Sequence, residues 1–192
     1  MKRFLSSCLF LLLGGHWLFS QSISGVINIY TPVTAINNSA CSSSITVLSS
    51  TGFAVGDTAL IIQMKGAQID TSNTATFGTI NSYGNCGNYE FCIIAGVAGN
   101  VITLQYSLLR TYTLTQFVQL VSVPVYNNAT IAATLSAQSW NLTSGTGGVL
   151  VFTDKGTTTF NADIDVRNDG FQGTTSQTIA WISCSINYKE PQ

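Results

Sequence analysis

The chain has 192 residues with 7 Lys+Arg, 8 Asp+Glu and a single histidine, so charged side chains make up only 8% of it. Without Lys2 and Arg3, 5 basic residues face 8 acidic ones, a net charge of −3 that excludes nucleic acid as a partner, because phosphate binding needs clustered Lys and Arg. Thr, Ser, Asn and Gln must then supply the wettable surface, the habit of exported β proteins whose hydroxyls and amides occupy outward strand and turn positions.

Met1-Lys2-Arg3 precedes an apolar run from Phe4 to Phe19 that Gly14-Gly15-His16 interrupts. That run falls short of the roughly 20 residues of a membrane-spanning helix and reads as a secretory signal peptide over 1–20, cleaved after Ser20. No transmembrane segment is read after it, so the expected destination is secreted or cell-surface. His16 leaves with the leader. Ser-His triads, Cys-His dyads and histidine metal sites are thereby excluded. Removing 20 of 192 residues leaves 172, enough for one sizeable β domain or two small ones.

The remainder is predicted to be all-β: a small antiparallel β-barrel-like unit followed by the start of a stacked β-helix or sandwich-like region. Residues 21–42 read as an N-terminal strand and linker, and 43–121 as the compact antiparallel unit. Within it, Ile45 to Leu48 is a strand, Thr51 to Asp57 a turn, and Thr58 to Met64 a strand apolar on both faces. Tyr89 to Val97 and Val101 to Leu104 flank Gly99-Asn100, a two-residue hairpin signal whose glycine can take positive φ, and Phe117 to Val121 closes the unit. Residues 122–173 read as β-rich rungs, with Gly147–Phe152, Thr157–Phe160 and Ala162–Val166 as successive edges. Ala129 to Trp140 carries a partial helical pattern, but its Thr residues and Asn127-Asn128 favour strand and turn. Two or three rungs cannot cover their own end, so the tail 174–192 suggests the front of a longer protein.

Four cysteines remain after the leader, Cys41, Cys86, Cys92 and Cys184, and an even number in an exported chain favours disulfides. Cys86 and Cys92 are the closest pair; closing so short a loop stabilises by about 2 kcal/mol if unstrained. Cys41 and Cys184 are then left over. Asp163, Asp165 and Asp169 are the only candidate calcium ligands, with Arg167 between them; alternation instead suggests a solvated face opposite Ala162, Ile164 and Val166. Tyr83, Tyr89, Tyr106, Tyr112, Tyr126 and Trp140 could offer ring faces to sugars, or pack as core. No catalytic residue and no cofactor is assigned.

Read together, Gly52-Phe53-Ala54-Val55-Gly56-Asp57, Ile61 to Ala67, Gly87-Asn88-Tyr89-Glu90-Phe91, Val123-Pro124-Val125-Tyr126-Asn127 and Asn161 to Val166 carry a resemblance. From roughly Ile29 to Phe171 the chain resembles the N-terminal region of large secreted adhesin-like surface proteins of Bacteroidetes, found with gliding-motility-associated or type IX secretion C-terminal domains. The resemblance implies an envelope or extracellular destination and a structural or adhesive role. The resulting expectation is a non-enzymatic module whose partners are extracellular glycans or cell-envelope components. Its alternative is a carbohydrate-binding module or the remnant of a β-helical polysaccharide lyase.

Overall fold

The structure, a computed structural model, describes residues 20–171. The signal peptide expected over 1–20, except for Ser20, and everything from 172 onward, the expected tail included, lie outside the described residues. Thirteen strands follow in order: β1 (Gln21–Val26), β2 (Tyr30–Asn38), β3 (Ser43–Val47), β4 (Thr58–Gln63), β5 (Gln68–Ile69), β6 (Ile80–Ser82), β7 (Tyr89–Ala98) and β8 (Val101–Leu104). After a 3-10 turn at Leu114–Gln116 come β9 (Val118–Val123), β10 (Val125–Tyr126), β11 (Ala129–Ser136), β12 (Thr153–Asp154) and β13 (Thr158–Phe160).

Six of these close an antiparallel barrel in the order β2-β3-β8-β7-β4-β9. Strand alternation builds its interior: Ile45 and Val47 from β3, Ala59 and Ile61 from β4, Ile102 and Leu104 from β8, Val118 and Leu120 from β9. Closure depends on two long strands that bend. β2 pairs with β9 through Tyr30–Pro32 and with β3 from Val33 onward, its register shifting between Val33 and Ala35; β7 passes from β4 to β8 with a shift between Ile94 and Gly96. An irregularity of this kind adds local bend and twist, which lets one strand serve two sheet directions. The hairpin predicted at Gly99-Asn100 forms, with Gly99 at φ 55°.

The second unit is a parallel stack. β1, β11 and β13 form one parallel sheet, and β10 with β12 another. Val125 faces Thr153 at a spacing of 28 residues, while Ala129–Thr158, Ile131–Phe160 and the Leu135–Ile164 bridge are 29 apart. The bond from Trp140 N to Asp169 O (2.8 Å) keeps the latter spacing. One coil of the stack is therefore 28–29 residues long, with Ile23, Tyr126, Ala129, Ile131 and Leu135 buried between its layers.

This arrangement divides 21–42 differently from the linear reading. β1 is the first layer of the stack, Ile23 opposite Ile131, whereas β2 is a stave of the barrel, which runs from Tyr30 to Val123 as an excursion between two neighbouring strands of one sheet. Ala129–Ser136 is strand, as its Thr residues predict. The doubly apolar β4 also gains a reason. Its inner residues fill the barrel, while Leu60 meets Val121, Val123, Val149 and Val151 on the outside, so the stack covers its second face.

Three polar side chains fasten the units at alternate residues of 147–151. Gln119 donates through Nε2 to Gly147 O (3.0 Å) and accepts from Gly147 N through Oε1 (2.9 Å). Tyr30 OH donates to Val149 O (2.6 Å). Asn28 Nδ2 donates to Val151 O (2.6 Å) and Ser122 O (2.8 Å), and Val151 N donates back to Asn28 Oδ1 (3.2 Å). These amides and the phenol satisfy backbone groups that no neighbouring strand reaches, which is what buried peptide groups require.

Candidate functional site

The outward side of β7 is apolar where alternation would ordinarily place polar residues. Tyr89, Phe91 and Ile93 point to solvent, Phe91 being 57% exposed, while Glu90, Cys92 and Ile94 are the less exposed set. The Tyr89 and Phe91 rings meet edge to face with centroids 6.3 Å apart. Alongside runs the loop after β8. Together they enclose a cleft of about 390 Å³ whose lining includes Thr58, Phe91, Ile93, Tyr106 and Ser107.

That loop is held residue by residue. Gln105 N donates to Ile93 O (2.9 Å), Ser107 Oγ to Ser39 O (2.6 Å), and Leu108 N to Ser43 Oγ (2.9 Å), while Asn38 Nδ2 donates to Leu108 O (2.9 Å). Glu90 completes the clamp: Oε2 accepts from Leu109 N (2.7 Å), and Oε1 from Arg110 N (2.8 Å) and Tyr112 OH (3.0 Å). Burial, with Glu90 beside it, pushes the Tyr112 phenol well above its ordinary range and keeps it a donor. The Tyr106 ring stays outside this network, 68% exposed over the cleft. Cys92 is half-buried below, and its desolvation, reinforced by Glu90, pushes its thiol up to about 12. Glu90, which carries three donors, and Cys92, held as a thiol, line the cleft together with its ring faces and hydroxyls.

The candidate residues read from the sequence scatter. Cys86 and Cys92 are not joined: Cys86 Sγ lies 3.4 Å from Met64 O and Cys92 Sγ 3.4 Å from Ala59 O. Those carbonyls are five residues apart along one extended segment, about 16 Å, so the ladder between β4 and β7 holds the sulfurs apart. The disulfide expected there is corrected accordingly. Cys41 is exposed, and Cys184 lies outside the described residues.

The three aspartates do not converge. Asp165 is engaged by Arg167, which donates from Nε to Oδ1 (2.9 Å) and from Nη2 to Oδ2 (2.6 Å), and this holds its carboxyl down at about 2. Asp169 accepts from Ser139 Oγ (2.5 Å). No group of three potential metal ligands exists among the described residues. Nor is the apolar face opposite Asp163 and Asp165 covered, since Ile164 and Val166 are both exposed. Of the six aromatic candidates, Tyr126 and Trp140 are core and Tyr112 binds Glu90, which leaves Tyr83, Tyr89 and Tyr106 exposed. The linear reading missed Phe91 and Glu90. Their signal was there: three alternate apolar residues, Tyr89, Phe91 and Ile93, on a hairpin strand with one carboxylate among them.

Fold and site together define an all-β module, a closed barrel docked on a parallel stack, with an aromatic cleft on the barrel's flank. No protein-family model matches the chain, and no curated protein matches it. Among solved structures, 72% of the chain is similar to 24% of the Gp54 tailspike of Acinetobacter baumannii bacteriophage AP22, solved in complex with A. baumannii capsular saccharide, at 13% identity and a TM-score of 0.36. Similarity also extends over 60% of the chain to 19% of the tailspike protein gp49 from Pseudomonas phage LKA1 (18% identity, TM-score 0.31). A third likeness, to the Pseudomonas phage phi297 tailspike gp61, covers 74% of the chain and 22% of that protein (12% identity, TM-score 0.36). The chain thus spans about a quarter or less of the length of these structures. Among the described residues no helix is long and apolar enough to cross a membrane.

Proposed function

We propose that this chain is a non-enzymatic, exported structural module of adhesin-like type, in which the barrel braces the first layers of a stacked β-coil displayed outside the cell. The observation that carries the reading is the parallel register of β1, β11 and β13 together with what lies beyond it. In the last described layer apolar side chains stand uncovered among the described residues, Phe160 of β13 at 63% exposure with Ile164 and Val166 after it. A parallel layer with an open edge and an apolar face accepts a further layer, whether from more chain or from an envelope component. The resemblance to secreted Bacteroidetes surface proteins, with type IX secretion as their export route, points to the same setting.

Protease shaving and surface labelling of intact native cells test this reading. The expected result is a chain lacking residues 1–20, reachable from outside, whose surface-retained fraction falls in the Phe160→Lys/Ile164→Lys variant. A precursor kept soluble inside cells with its leader attached overturns it, as does a purified chain that turns over a polysaccharide.

A second reading, a carbohydrate-binding module, is favoured by one observation: Tyr89, Phe91 and Tyr106 present exposed rings around a preformed cleft. Extracellular glycans would then be the partner.

A further inference from the structure

We propose that the cleft between β7 and residues 105–110 is a subsite for an uncharged saccharide of one or two pyranose rings, gripped between the Phe91 and Tyr106 rings. The inference rests on the carbohydrate-binding reading and gives it a place and a ligand class.

Rigidity is the first argument. Residues 105, 107, 108, 109 and 110 are each fixed by a named hydrogen bond to β2, β3, β7 or the β2–β3 turn, while Phe91 stands opposite Leu60 in the half of β7 that pairs with β4. Two aromatic rings left in water on this frame lose little conformational freedom when a ligand arrives, and preorganisation of this kind raises affinity without new contacts. A ring face with its negative quadrupole suits the C–H-rich face of a pyranose.

Charge excludes the competing small ligands. No Lys or Arg lines the cleft, and its one ionisable acid, Glu90, already carries Leu109 N, Arg110 N and the Tyr112 hydroxyl. A phosphate, nucleotide or uronic acid would meet the Glu90 carboxylate in the lining, which the Arg110 side chain does not join. Neutral hydroxyl-bearing ligands meet hydroxyls instead: Thr58 and Ser107 line the cleft, and Ser107 Oγ, which donates to Ser39 O, keeps lone pairs for a sugar hydroxyl. Size agrees as well. A concave site of about 390 Å³ falls within the range for small ligands, whereas a stable protein partner needs about 800 Å² from each side.

Saturation-transfer NMR and calorimetric titration of the mature full-length chain with cellobiose, maltose, N,N′-diacetylchitobiose and xylobiose test the proposal. At least one of these should bind, with Tyr106→Ala and Phe91→Ala each weakening it by about tenfold or more and Tyr106→Phe retaining it. Unchanged circular dichroism and melting temperature would show that these exposed substitutions leave the fold intact. Binding that neither alanine variant alters overturns the cleft as the site while leaving a carbohydrate-binding module elsewhere. Absence of binding to every probe overturns the cleft and the carbohydrate reading together.

Discussion

Glu90 shows how one side chain can organise a whole loop from within the cleft that it lines. Its carboxylate collects two backbone N–H groups and a phenol, and removing it gives up three charge-assisted hydrogen bonds, leaving Leu109 N and Arg110 N to water and the Tyr112 hydroxyl without its acceptor. Glu90→Ala is therefore expected to lower stability by about 1–3 kcal/mol in urea unfolding and to loosen the Tyr106 loop in amide exchange. Cys92 gives a pH signature. Its folded-state thiol sits at about 12 against an ordinary 9.0, so its contribution to stability is intact below pH 9.0 and is lost as pH rises toward 12. At pH 8 the exposed Cys41 should alkylate readily and Cys92 only on unfolding, a difference that mass spectrometry reads directly. Asp165 behaves in the opposite sense: paired with Arg167, it adds stability above pH 3.8 that fades as pH falls toward about 2. A carboxyl 13C titration should place its midpoint near 2, and Arg167→Ala should return it to the ordinary carboxylate range. Little of this was legible beforehand. Gln63 and Gln119 are fully buried, yet in Ile61-Ile62-Gln63 and Val118-Gln119-Leu120 they look like any polar residue on an outward strand position. Only the partners, Thr113 N, Lys65 O and Gly84 O for Gln63 and Gly147 for Gln119, reveal them as joints.

Elements built from neighbours in sequence were readable, and those built from distant ones were not. The β7–β8 hairpin follows from Gly99-Asn100 between two alternating runs, and β4 and β9 follow from dense β-branched and apolar residues. The pairing of β1 with β11 joins Gln21 to Ala129 across the whole barrel, and no local pattern encodes a contact of that separation. The bends in β2 and β7 were equally hidden, because a register shift leaves no composition signal of its own. At this scale the seam along 147–151 is the element to perturb. Gly147 sits at φ 98° with Ser139 O 2.6 Å from where a Cβ would be, so Gly147→Ala combines a strained backbone with a clash against backbone. A loss of more than about 2 kcal/mol is expected from thermal or urea melts, and Gln119→Leu, which strips both hydrogen bonds from Gly147, should cost about 1–3 kcal/mol.

As a whole the molecule is a barrel inserted between two adjacent strands of a parallel sheet. Its two units share β4 and β9 as a common wall, so one face of that wall belongs to the barrel core and the other to the stack. Such sharing predicts one cooperative unfolding transition for the described region, which calorimetry can check by comparing calorimetric and van't Hoff enthalpies. It also orders the surfaces. The aromatic cleft lies on the barrel's flank, and the uncovered apolar residues Phe160, Ile164 and Val166 lie at the far described layer of the stack, so the two proposed contacts use different faces. The account depends most on the parallel register, and backbone nuclear Overhauser contacts in the labelled chain measure it directly. Thr130 should contact both Ser22 and Thr159, with all three strands running the same way. Antiparallel contacts along β11, or a β1 with no contact to it, would contradict the account.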